Sequence, residues 1–197
     1  MAEAGYKQLL SYKLSNIAFL IGWEFVPLYY HKYEDHRQRD QIKQALRSNK
    51  QNIVEGSSER SLSSKLKLYD VAKSSGMEAL EDFEDILKLE NLPRWDKNDA
   101  RLIKLRQAIE NYPPHPSNPS IPPTISSIKA VLGIKTEGLG GREGIEGIVN
   151  YLIDVLVREG YLLDKQINAV EGKHEREGGY SENLLKKRLA YKYKNKD

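Results

Sequence analysis

SLSSKLKLYDVAKSSGMEALEDFEDILKL, residues 61–89, reads as one long amphipathic helix. Leu62, Leu66, Tyr69, Ala72, Gly76, Leu80, Phe83 and Leu87 recur at intervals of three and four, which keeps one face apolar along the whole segment. Ser61, with Ser63 or Ser64, offers a capping hydroxyl for its first turn. A glycine in mid-helix costs about 1 kcal/mol relative to alanine. Gly76 therefore predicts the close approach of a neighbouring helix.

The same periodicity extends outward from this segment. Upstream, residues 37–54 carry an apolar stripe of Ile42, Ala45, Leu46, Asn49 and Ile53, and Gly56 reads as the stop. Residues 10–33 place Leu14, Ile17, Ala18, Ile21 and Phe25 on one face; Pro27 is expected to kink this helix or end it early. Downstream, residues 91–99 form a connector broken by Pro93 and anchored by Trp95, followed by a short helix over 100–110 capped by Asp99. Residues 112–124 hold six prolines and read as extended or irregular chain, and residues 133–144 are glycine-rich loop. A last long helix spans 143–171 on Ile145, Ile148, Leu152, Val155, Leu156, Leu163, Ile167 and Val170. Val149, Ile153 and Val157 are apolar off that stripe, which predicts contact on a second side, with the insertion or with another subunit. A short basic helix over 181–193 closes the chain.

These elements predict an all-α protein, an antiparallel up-and-down four-helix bundle with a Pro/Gly-rich insertion and a C-terminal suffix helix. The expected division is 1–111 for helices one to three and the connector helix, 112–142 for the insertion, and 143–197 for the fourth helix and suffix.

Composition agrees. A chain of 197 residues suits one domain, and 30% charged residues suit long solvated helix faces. The absence of cysteine excludes disulfides, thiolate chemistry and Cys-rich zinc sites, and fits a reducing cytoplasm. No stretch approaches the roughly 20 apolar residues that span a bilayer, and the first apolar run lacks the pattern of a signal peptide. The expectation is a cytoplasmic protein with no membrane partner.

Net charge is only +3, but it is segregated. Residues 37–67 hold eight basic side chains against three acidic, whereas residues 78–90 hold six acidic against one lysine. On the second helix Arg39, Lys43, Arg47 and Lys50 form a stripe suited to following a phosphate backbone, with Lys65 and Lys67 as candidate extensions. The same stripe also suits a solvated face, or a face that pairs with the acidic half of helix three in a neighbouring protomer. Tyr191 and Tyr193, between tail lysines, have the chemistry to stack on bases.

Catalytic constellations are not evident. The acidic run at 78–84 lies on one helix rather than across a cleft, and GLGGREG at 138–144 lacks the Lys-Ser/Thr end of a phosphate-cradling loop. His31 and Asp35 have metal-pair spacing, but no second pair with histidine accompanies them, so a solvated helix end is the better reading. The expectation is a non-enzymatic protein with no cofactor and no metal.

QIKQALRSNKQNIVEG at 41–56, with VAKSSGMEALEDFEDIL at 71–87, resembles the bacterial four-helix bundle family that includes proteins encoded by intervening sequences in large-subunit ribosomal RNA genes. The most specific piece is Asn52-Ile53-Val54-Glu55-Gly56, where family members show Asn-Ile-Ala-Glu-Gly, often after a proline; here Lys50 and Gln51 precede it. Two further pieces resemble the subgroup with a four-helix bundle suffix domain: NLPRWDKND at 91–99 and the segment 150–192 with its Glu-Gly-Gly-Tyr turn. The resemblance implies a structural motif of Asn49, Asn52, Glu55, Gly56 and Gly76. Asn49, on an apolar stripe, is expected to fix register or hold a loop rather than bind a ligand. A wider relative, the accessory variability protein of diversity-generating retroelements, forms a ring-shaped pentamer and binds reverse transcriptase and nucleic acid. By that analogy the expected partners are nucleic acid, RNA favoured over DNA, further copies of this chain, and a protein such as a reverse transcriptase. An assembly or adaptor module without a nucleic-acid role is the alternative.

Overall fold

A computed structural model describes residues 5–111 and 120–194, and the described residues are helical with no strand. Helix α1 spans Leu10–Tyr29, α2 His36–Ser58, α3 Leu62–Leu89 and α4 Ala100–Leu105. A π-helical turn, Arg106–Glu110, extends α4. Helix α5 covers Ile125–Leu132, α6 Gly141–Glu177 and α7 Tyr180–Lys194. Four of the six prolines of the 112–124 segment lie outside the described residues.

Helices α1, α2, α3 and α6 stand in a closed ring, each packed against two of the others. Side-chain bonds give their directions. Gln38 bonds Asp82 while Asn49 bonds the Ala72 carbonyl, so α2 and α3 run antiparallel. Lys73 meets Asp164 while Gly76 lies against Glu159, so α3 and α6 are antiparallel as well. Diagonally, α1 and α3 run parallel: Phe25 packs on Phe83, and the Tyr29 hydroxyl donates to Glu90 at 2.8 Å.

Two apolar clusters fill the ring. The larger holds Leu14, Ile21, Phe25, Leu46, Phe83, Ile86, Ile148 and Leu152; the smaller holds Ile53, Tyr69, Ala72, Leu163 and Ile167. Between them each of the four helices contributes a small or polar residue, Ser15, Asn49, Gly76 and Glu159.

Several boundaries differ from the sequence reading. Pro27 ends α1 early: it has no N–H for the Trp23 carbonyl, and the helix stops at Tyr29 instead of continuing to 33. Gly56 does not stop α2. It sits inside the helix, buried, where a Cβ would lie 2.7 Å from the Tyr69 ring, so its role is close approach rather than a left-handed cap. Ser61 caps α3 as expected, its Oγ accepting from the Ser64 N–H. Helix α6 continues to Glu177, six residues further than the periodicity reached, and ends where Gly178 turns to positive φ.

The described part of the insertion joins the core. Ile125 and Ile128 of α5 are fully buried in the larger cluster, and α5 packs against α1, α4 and α6. Val149 and Ile153 are buried, which accounts for two of the three apolar residues off the α6 stripe, whereas Val157 remains exposed. Helix α7 exposes its described side chains from Tyr180 to Tyr193 apart from half-buried Asn183.

Candidate nucleic-acid interface

The basic stripe of α2 lies along the seam with α1. Gly22 brings the two helices together, since a Cβ there would fall 2.3 Å from Leu46 Cδ1. This close approach sets the lysines of α2 over the aromatic rings of α1. The Lys43 ammonium stands 3.9 Å from the centre of the Trp23 ring, and the Lys50 ammonium 3.4 Å from that of Phe19. The two rings adjoin at 5.1 Å. Arg47 is exposed between them, and Arg39 reaches its neighbour Asp40 at 3.7 Å.

Among the described residues Lys43, Arg47 and Lys50 form no ion pair. Burial of the ammonium and then the positive charge of Arg47 lower the Lys50 pKa. The patch is thus short of anions, and a phosphate at this seam would relieve the repulsion. The carboxylate of α1, Glu24, is turned away and accepts the Ile125 N–H at 3.0 Å. Trp23 is 43% exposed and Leu20 41%, so an apolar surface borders the cations.

Lys65 and Lys67 do not join this seam as an extension. Lys65 donates to the Ser57 carbonyl in the last turn of α2, and Lys67 is exposed on α3. His31 and His36 lie against the backbone carbonyls of Tyr29 and Tyr33, and no group of acidic or histidine side chains among the described residues converges for a metal.

The expected structural motif divides. Asn49 is buried and bonds to all three other helices of the ring. It accepts from the Ser15 hydroxyl, and its amide donates to the Ala72 carbonyl at 2.8 Å and to Glu159 Oε1 at 3.2 Å. Gly76 clears space for this centre, since a Cβ there would lie 2.8 Å from Asn49 Nδ2. Among the described residues Asn52 bonds only back to Ser48, and Glu55 is exposed.

Two polar sites escaped the sequence reading. Glu159 is 1% exposed, and burial pushes its carboxyl up to about 8 against the Asn49 bond. Its spacing between Leu156 and Leu163, on the core stripe, was the available signal. The second cluster joins α6 to the π-helical turn. Arg158 holds Glu110 through two bonds at 2.8 and 2.6 Å, Arg106 and Arg158 share Asp154, and the Tyr151 hydroxyl donates to Glu110 at 3.1 Å.

Comparison with protein-family models, with curated proteins and with solved structures found no match for this chain. No helix among the described residues is long and apolar enough to cross a membrane.

Proposed function

We propose that this chain is a non-enzymatic four-helix bundle protein of the up-and-down type that binds nucleic acid along the α1–α2 seam. The cyclic antiparallel register of α1, α2, α3 and α6 supports the bundle. The resemblance of residues 52–56 supports kinship with the ribosomal intervening-sequence family. One observation supports the binding role: among the described residues Lys43, Arg47 and Lys50 have no carboxylate partner, and they lie on one face beside an exposed indole.

The test is a titration of labelled RNA and DNA at several salt concentrations. Replacing Arg39, Lys43, Arg47 and Lys50 together by Gln should weaken binding and flatten its salt slope with helix content unchanged. Unchanged affinity would remove the seam from consideration.

The second reading is self-assembly. It is favoured by exposed Met77, Val157 and Tyr161, which line a groove of about 310 Å³ between α3 and α6 with Gly76 and Gly160 on its floor. Sedimentation of the wild type and of a Met77→Lys/Val157→Lys variant distinguishes an assembled protein from a monomer.

A further inference from the structure

The chemistry of the seam goes beyond charge. A protein that touches only the phosphates of a duplex gains nothing from an indole held at the surface, because duplex bases hide their faces in the stack. Single-stranded nucleic acid differs: its base faces are free, and aromatic side chains beside cations take them up with little regard to sequence. Trp23 has these neighbours. Lys43 covers its ring, Arg47 is exposed one helical turn further along α2, and Leu20 continues the apolar surface one turn back along α1.

We propose that Trp23 is a stacking platform for an unpaired base, with Lys43, Arg47 and Lys50 holding the flanking phosphates of a single strand. The proposal rests on the nucleic-acid reading of the seam and names its substrate class. A cation resting on a solvent-exposed ring is weakly held. Lys43 therefore leaves the indole for a phosphate at little cost, and its departure opens the ring to the incoming base. The Glu24 carboxylate is engaged with the backbone of α5. Phe19, beneath Lys50, is half-buried and braces the indole.

The molecule has a built-in reporter. It holds two tryptophans, and Trp95 is 8% exposed, donates to Glu146 at 2.6 Å, and is covered by Arg101. Quenching by a bound base therefore reads Trp23.

The experiment uses the full chain with oligo(U), oligo(dT) and a length-matched duplex at low salt. Binding is followed by anisotropy of labelled strands, and intrinsic fluorescence by unlabelled strands. The expected result is quenching by the single strands and not by the duplex. Trp23→Ala should lose about tenfold in single-strand affinity while duplex affinity stays unchanged, and Trp23→Phe should recover most of the loss. Single-strand binding without quenching, or equal losses for single strand and duplex in Trp23→Ala, overturns the platform and leaves a phosphate-only seam. If none of the three probes binds, the nucleic-acid reading falls and the platform with it.

Discussion

Asn49 donates its side-chain amide to Glu159 at 3.2 Å across the middle of the helical ring, and burial holds that carboxyl up to about 8. In the unfolded chain the same group ionises in the ordinary glutamate range. The folded state therefore keeps a proton that the unfolded state releases, and stability falls as pH rises between about 4.5 and 8. The effect is on the order of 3–5 kcal/mol over that window. Glu159→Gln cannot ionise and should flatten the slope, leaving the variant more stable than wild type at pH 8 and similar at pH 5. Urea midpoints at the two pH values measure this; parallel pH profiles would show that Glu159 is not the titrating group.

Two glycines near this centre in the chain are expected to behave oppositely. A Cβ on Gly76 would lie 2.8 Å from Asn49 Nδ2 and 3.2 Å from Glu159 Oε2, both in side chains held by hydrogen bonds. Gly76→Ala should destabilise by about 1–3 kcal/mol, the overpacking cost exceeding the gain in helix propensity. Gly160, one residue beyond Glu159, has nothing within 4 Å of its ideal Cβ. Gly160→Ala should stabilise by up to about 1 kcal/mol. Thermal unfolding of both variants should move in opposite directions, and a common direction would contradict the packing described.

The framework of the fold was legible in apolar spacing, because α2 and α3 bury one stripe each for many turns and α6 carries such a stripe through its all-round buried middle. What spacing could not show was how close neighbouring helices come. Gly56 carried the local mark of a helix stop, but the Tyr69 ring against it is what requires a residue without a side chain there, inside a helix that runs on to Ser58. The cation stripe was legible as charge, but its aromatic partners were not. Phe19 and Trp23 belong to another helix, and the Gly22–Leu46 contact that aligns them is tertiary. Glu159 was passed over because a single acid on an apolar stripe is outvoted by its neighbours.

The ion-pair cluster on α6 should matter more to stability than the exposed salt bridges. Glu110 accepts two bonds from Arg158 and one from the buried Tyr151 hydroxyl. Its removal leaves the half-buried Arg158 guanidinium with Asp154 alone and the buried Tyr151 hydroxyl without its acceptor, a loss of about 1–3 kcal/mol. Glu110→Ala should therefore lower the urea midpoint far more than Asp85→Ala, which loses only the exposed pairing with Lys88. Similar midpoints for the two variants would mean that Arg158 finds other partners when Glu110 is gone.

Position on the fold separates five of the candidate cations. Lys43, Arg47 and Lys50 share the α1–α2 seam, whereas Lys65 closes the end of α2 on the Ser57 carbonyl and Lys67 projects from α3. If the seam holds a strand, Lys43→Gln/Arg47→Gln/Lys50→Gln should reduce the magnitude of the salt slope by about 2, since each single-strand phosphate contact contributes roughly 0.7 to it. Lys65→Gln/Lys67→Gln should leave the slope unchanged, although loss of the Lys65 bond will lower the thermal midpoint slightly. The comparison separates a placed binding face from a general attraction between a basic protein and a polyanion. Equal reductions in the two variants would favour the general attraction, because charge count would then predict binding as well as location does.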